Sequence, residues 1–238
     1  MISVLNIETA SPLCSVCLSL NGDDAGYLES SQPNAHSSLL AGMINEILSQ
    51  PHPPLSAVAV SIGPGSYTGL RIGLSTAKGM AYRLGIPLIA VPTLKIIASG
   101  YLCQQPATDS KSILCPMTDA RRNEVYMAQY NVRLSETLAP RPLILDSPEV
   151  KNCFTDSHYI IMGSGSPKAM HFLSGSNYIF DIENYLSARY MKDVSFSMAQ
   201  NNDFADIVLQ SPLYLKEFEA IKPKINVIYK GTQFDKPE

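Results

Sequence analysis

The sequence has no tryptophan, and only 16% of its 238 residues are charged. With 18 basic against 21 acidic residues the net charge is −3, so no surplus of Lys and Arg offers nucleic acid a broad electrostatic footprint. Any RNA contact has to be local or made through a partner. No apolar run reaches the ~18–20 residues of a membrane span, and the opening Met1-Ile2-Ser3-Val4-Leu5 has no basic leader segment and enters a strand pattern directly. A cytoplasmic protein with no membrane contact is expected. Five cysteines without framework spacing fit a reducing compartment. Cys14 and Cys17 form a CxxC, but in an alternating strand residues three apart point to opposite faces, which argues against metal or redox use. The four histidines, His36, His52, His158 and His171, never stand at ligand spacing, so no helix-borne zinc site is expected. There is no cluster of carboxylates with an obvious base.

What is present is a hydrophobic content of 45%, ample for real cores, and one central stretch, residues 57–103. It reads as an apolar strand (57–62), a glycine-rich turn (Gly63-Pro64-Gly65-Ser66-Tyr67-Thr68-Gly69), a long helix (68–84), a second apolar strand (87–91) and a second helix. The two strands are short, near-continuous apolar runs, as in parallel strands covered on both faces. Thr68 or Ser66 can cap the helix, and Gly85 stops it two residues before Pro87. Gly69, Gly73, Ala77 and Ala81 form a ridge of small residues spaced by four. Glycine in a helix costs ~1 kcal/mol relative to alanine, so Gly73 and Gly79 call for a packing reason. The ridge either seats the helix on its own sheet or receives a helix from another protein. Arg71, Ser75, Lys78 and Tyr82 make a polar stripe beside it.

Upstream, residues 2–8, 13–20 and about 25–31 read as strands, with Asn21-Gly22 supplying hairpin chemistry. Residues 35–49 read as an amphipathic helix with Asn34 or Ser37 as cap. The order βββαβαβα is that of the actin-like ATPase fold, in which an acidic residue ends the first strand. Here that residue is Glu8, followed by Thr9, the alternative being an ordinary hairpin turn. Downstream, Thr108 to Lys111 is a polar break, which divides the chain into domains 1–106 and 107–238. Strands are expected at 112–118, 124–131, 142–145 and 158–163, with an exposed turn at Asp119-Ala120-Arg121-Arg122-Asn123. Gly163-Ser164-Gly165-Ser166-Pro167-Lys168 feeds a helix start, a place that can hold a phosphate. A helix at 187–200 capped by Ser187 and a tail from Pro212 end the reading. No internal repeat is evident.

The glycine-rich turn is not GxSxG, since it has one residue too many after the serine, and it lacks the lysine of a phosphate-binding loop. Neither a serine hydrolase nor a P-loop enzyme is indicated.

The stretches IETASPLCSVCLS, SIGPGSYTGLRIGLSTAKGMAYRLGIPLIAVPTL, DARRNEVY and PLYLKEF strongly resemble the TsaB (YeaZ) family, the bacterial dimerisation subunit of the tRNA threonylcarbamoyladenosine machinery. The resemblance covers nearly the whole chain. It implies an α/β actin-like fold (the ASKHA, ribonuclease H-like class) of two βββαβαβα-type domains, the second degenerate, its last helix and tail packing back on the first. It also implies a catalytic sister, TsaD, in which two histidines four apart on the helix after the second strand hold a metal. The matching residues here, Val91 to Ala98, include no histidine. The implied role is a non-catalytic scaffold that pairs with the TsaD-like paralogue in a complex attaching threonylcarbamoyl to N6 of the adenosine next to the anticodon of ANN-decoding tRNAs. A TsaE-like P-loop ATPase is a further partner, tRNA is reached only through the complex, and ATP and metal belong to the catalytic partner. A homodimer of the isolated chain stays open. The alternative is a stand-alone nucleotide-binding kinase, or a peptidase as the older glycoprotease-like label suggests.

The expected sites follow from that resemblance. The partner interface is assigned to Leu40, Met43, Ile47, Arg71, Ser75, Lys78 and Tyr82. A vestigial nucleotide site is assigned to Glu8, Thr9, Gly63, Gly65, Ser66, Gly69, Gly163 and Gly165. No catalytic residue and no metal ligand are assigned, and no cofactor is expected on this chain.

Overall fold

All six positions of β1 (Ser3–Glu8) are buried, the polar Ser3, Asn6 and Glu8 along with Val4, Leu5 and Ile7, which places it mid-sheet with both faces covered. It pairs antiparallel with β2 (Cys14–Leu20) and parallel with β4 (Ala57–Ser61). β2 returns antiparallel to β3 (Asp23–Ser30) through Asn21 and Gly22, whose φ values of 51° and 91° are those a tight hairpin turn demands. β5 (Leu88–Val91) adds parallel to β4, giving the order β3-β2-β1-β4-β5. The computed structural model describes residues 1–32, 36–155 and 158–216.

One face of this sheet packs on α1 (His36–Leu48) and α2 (Tyr67–Leu84): Leu5, Ile7, Val16, Val58 and Val60 meet Leu40, Ile44, Ile47, Leu74, Ala77 and Ala81. Ser66 caps α2, its Oγ accepting the Gly69 N–H at 3.2 Å, and Gly85 ends the helix in the left-handed region at φ 66°. Of the two caps expected for α1, Ser37 lies inside the helix and Asn34 lies outside the described residues. The opposite face of the sheet, with Val4, Cys17, Ile89 and Val91, packs on α3 (Thr93–Gln104). Cys14 and Cys17 thus fall in different cores, as the alternation requires, and burial pushes both thiols up, to about 11 and about 12.

The chain then builds a second sheet: β6 (Ile113–Asp119), β7 (Glu124–Tyr130), β8 (Glu136–Ile144), β9 (Tyr159–Met162) and β10 (Tyr178–Phe180), in the order β10-β9-β6-β7-β8. Counted from its own first strand, this is the topology of the first sheet again. The connecting helices have shrunk to four residues each, α4 (Val150–Cys153) and α5 (Ser166–Ala169). The second, degenerate copy that the resemblance implies is therefore present, although the sequence itself shows no evident repeat. It leaves a short trace at equivalent points, Gly63-Pro64-Gly65-Ser66 after β4 and Gly163-Ser164-Gly165-Ser166 after β9.

The other differences from the expected elements lie in this half. β8 begins at Glu136, not 142, and α4 and β10 were not anticipated. The helix expected at 187–200 opens as a 3-10 turn, Ala188–Met191, before α6 (Lys192–Gln200), with Ser187 capping it by accepting the Arg189 N–H. α6 docks on the first sheet, where Ser195 Oγ donates to Asn6 Oδ1 at 2.6 Å. Among the described residues no helix is long and apolar enough to cross a membrane.

Candidate functional site

The two glycine turns lie at the ends of parallel strands next to the carboxylates that close β1 and β6. Glu8 is completely buried. Its Oε1 accepts the Ala10 N–H at 2.5 Å and the Ser61 hydroxyl at 3.2 Å. Oε2 has no hydrogen-bond partner among the described residues. Burial dominates, so the acid is held up to about 8 even though both donors and the Thr9 N–H favour its charged form. At neutral pH Glu8 is mostly a neutral acid.

The smallness of the α2 ridge is used inside the chain. A Cβ on Gly69 would run into the Thr9 carbonyl and one on Gly73 into the Thr9 hydroxyl, while one on Gly65 would meet the Ala10 carbonyl. Thr9 Oγ1 donates to Gly69 O at 2.8 Å, and Ala10 O accepts the Ser66 N–H at 2.6 Å. Gly69, Gly73, Ala77 and Ala81 are all buried. Of the two readings of the ridge, seating on its own sheet is correct and reception of a foreign helix is not. Gly79 is different, because a Cβ there meets nothing within 4 Å. The packing reason expected for it is absent from the described residues of this chain.

In the second half, Gly163 and Gly165 are likewise taken up by their own sheet. Cβ atoms there would stand 2.6 Å from Met117 O and 2.7 Å from Met117 Cβ. Asp119, in the place equivalent to Glu8, has a half-exposed side chain and an ion pair with Lys168 at 2.6 Å. Partial burial raises its pKa, but Lys168 and the Arg121 N–H outweigh that, and the carboxyl sits below its ordinary value. Arg121 and Arg122 are exposed and both left-handed, at φ 70° and 47°, in the exposed turn expected there. The Asp119–Lys168 pair was missed. Its sequence signal was available, since Asp119 ends the first strand of its half as Glu8 does.

On the outer face of α2, Arg71, Ser75 and Tyr82 are exposed and Lys78 is half-buried, with Tyr82 81% accessible. Arg71 Nε donates to Tyr214 Oη at 2.9 Å and Lys78 Nζ to Val208 O at 3.2 Å, which ties the C-terminal segment to α2. On α1 the interface assignment needs correction: Leu40 and Ile47 are 2% and 6% exposed in the chain's own core. Only Met43 of that set keeps part of its side chain at the surface.

The two sheets of like topology, each with an acidic strand end and a glycine turn, define an α/β protein of two like halves, the architecture expected of an actin-like fold. A crystal structure described as an uncharacterized protein with similarity to peptidase YEAZ from Pseudomonas aeruginosa shares the fold, with a TM-score of 0.77 at 22% identity over 91% of this chain and 100% of that one. A second, described as YeaZ from Pseudomonas aeruginosa, gives 0.75 at 23% identity over 90% of this chain and 100% of that one. The family model described as TsaD, tRNA N6-adenosine threonylcarbamoyltransferase, matches residues 30–207. The chain belongs to that family. It is 36% identical over 130 residues to the tRNA threonylcarbamoyladenosine biosynthesis protein TsaB of Escherichia coli (strain K12), across 53% of this chain and 54% of that protein. Identity to the Bacillus subtilis (strain 168) protein of the same name is 40% over 88 residues, 36% of each. The chain thus spans about half the length, or less, of the curated relatives it matches.

Proposed function

We propose that this chain is a non-catalytic subunit of the machinery that attaches a threonylcarbamoyl group to N6 of the adenosine next to the tRNA anticodon. It acts in the cytoplasm by pairing with a TsaD-like catalytic paralogue through its first half, residues 1–106. The observation that carries the reading is the start of α3, where the catalytic sister's metal-binding histidines would fall. There Thr93 Oγ1 accepts the Gly63 N–H at 3.0 Å, and Ile96 and Ile97 are 0% and 1% exposed in the core between the sheets. Neutral imidazoles presented to a cation are what that chemistry needs, and this helix start is packed with hydroxyl and hydrocarbon. The glycine turns support the same reading, because the room their glycines make is filled by their own backbone. ATP and metal are accordingly assigned to the paralogue, a TsaE-like ATPase to the assembly, and tRNA contact to the complex.

The partner surface is assigned to the exposed stripe Arg71, Ser75, Lys78 and Tyr82 with Met43, tyrosine and arginine being enriched where interfaces concentrate their binding energy. Lys78→Glu with Tyr82→Ala is expected to leave the melting temperature nearly unchanged, to abolish co-elution with the paralogue, and to remove threonylcarbamoyladenosine from tRNA in cells relying on the variant. Normal assembly by this double variant and by Met43→Asp refutes the assignment.

A further inference from the structure

Residues 212–216 run across both halves of the molecule. The Leu213 N–H donates to Ile62 O at 2.7 Å, just past the end of β4. The Leu213 carbonyl lies 2.9 Å from where a Cβ on Gly63 would stand, and Gly63 has φ +116°, so residue 63 is glycine for two reasons. The Tyr214 ring lies 5.3 Å from that of Tyr67 and its hydroxyl accepts from Arg71, whose guanidinium sits 3.9 Å from the Tyr67 ring centroid. Those contacts belong to the first half. Two residues on, Lys216 Nζ reaches Glu124 Oε2 on β7 at 2.6 Å, where the Glu124 side chain is 13% exposed.

Tyr214 and Lys216 are exposed, and Pro212, Leu213 and Leu215 are half-buried without belonging to any of the buried cores. Detaching the segment therefore leaves those cores intact, the mark of a piece that opens on its own while the core stays folded. We propose that residues 212–216 form a releasable clasp between the two halves, and that Arg71 is its trigger. The trigger rests on the reading above that the α2 stripe receives a partner. A guanidinium offers five donors in a planar fork, and the Tyr214 hydroxyl takes one from the neutral side. A partner carboxylate can bind that fork bidentately with both partners charged, where the Tyr214 hydroxyl offers a single neutral acceptor, and so draws Arg71 away from Tyr214. Clasp and partner then oppose one another, and by linkage whatever weakens the first tightens the second.

Residue-resolved hydrogen exchange on the full chain tests the clasp. The Leu213 amide is expected to exchange on the order of 100-fold faster than those of Val58 and Val60 in β4, and Lys216→Glu to speed it by roughly tenfold more with β4 unchanged. Lys216→Glu combined with Glu124→Lys should restore the original rate. Leu213 exchanging in step with Val60 overturns the clasp. Calorimetric titration with the TsaD-like paralogue tests the trigger: Tyr214→Phe, which keeps the ring and loses the hydroxyl, should tighten binding by about threefold or more. Equal or weaker binding overturns the trigger. If the wild-type chain does not bind the paralogue at all, the partner reading and the trigger fall together, while the exchange rates still decide the clasp.

Discussion

Glu8 and Asp119 hold the same place in two copies of one topology, the last residue of the first strand beside a G-x-G-S turn, and their environments push them in opposite directions. Glu8 sits under α2, where burial outweighs its hydrogen-bond donors, and its carboxyl is raised to about 8. Asp119 lies beside a helix of only four residues, half open to water with Lys168 against it, and its carboxyl is lowered. The difference arises one element downstream of the strand end. In the first half an 18-residue helix closes over the turn, and Gly69 and Gly73 let it come down onto Thr9. The second half has Ala169 and Leu173 at the equivalent positions, and the chain leaves the helix at once. Topology places a carboxylate, and the helix that follows decides whether it is charged.

The contrast is broken most directly by Glu8→Gln. The folded-state pKa of Glu8 lies above its ordinary value of 4.5, so its contribution to stability is complete below about 4.5 and is lost as pH rises through about 8. A shift of that size corresponds to at most about 5 kcal/mol, at 1.36 kcal/mol per unit. Glutamine keeps the acceptor for Ala10 and Ser61 and cannot ionise. Denaturant unfolding should therefore find the variant several kcal/mol more stable than the wild type at pH 9 and close to it at pH 5. Asp119→Asn should show the opposite sign, its small loss confined to pH above 3.8 and vanishing on acidification. Because that pair is half exposed, about 1 kcal/mol is its ceiling. Equal pH profiles for wild type and Glu8→Gln would show that the buried acid is ionised after all.

A second, smaller effect concerns the helix that makes the difference. Gly69→Ala places a methyl group against the Thr9 carbonyl, backbone that cannot rotate aside, and its cost should reach about 3 kcal/mol, the upper end for overpacking. The mirror change, Ala169→Gly, removes one methyl from the second half and should cost only about 1 kcal/mol. Guanidinium unfolding of the two variants gives the ratio. Comparable losses would mean that the two turns are packed alike and that the contrast drawn from Thr9 is wrong.

The first half was legible because local signals agreed with tertiary demands: continuous apolar runs at 57–61 and 88–91, Asn21-Gly22 at the hairpin, and Ser66 and Gly85 at the ends of α2. The second half was harder because its helices are too short for any periodicity to show and because β10 is three residues long. β8 was cut short because Pro140 and Pro142 punctuate it. The strand keeps both while pairing only with β7, so the side away from β7 asks nothing of their missing N–H groups. In the candidate site, Glu8 and the glycines were visible as residue types. Their use was not, since whether Gly69 faces a ligand, a partner or Thr9 depends on a contact sixty residues away in the chain. The same limit hid Leu213, Tyr214 and Lys216, whose partners are Ile62, Arg71 and Glu124.

The smallest expected effect isolates the one glycine of α2 that the fold does not need. Gly69 and Gly73 are held by Thr9, but Gly79 stands on the exposed side of the same helix, one residue from Lys78 and three from Tyr82, with nothing within 4 Å of a built Cβ. Glycine at such a site gives away about 1 kcal/mol of helix stability relative to alanine. Gly79→Ala should accordingly raise the unfolding free energy of the isolated chain by about 0.5–1 kcal/mol, part of it from restricting the unfolded chain. If the α2 face receives a partner helix at close approach, the same methyl group should weaken co-elution with the TsaD-like paralogue, so that one substitution moves folding and assembly in opposite directions. A variant that is more stable and assembles as well as the wild type would show that the partner does not come down onto Gly79, and would shift the contact toward Arg71 and the N-terminal turns of the helix.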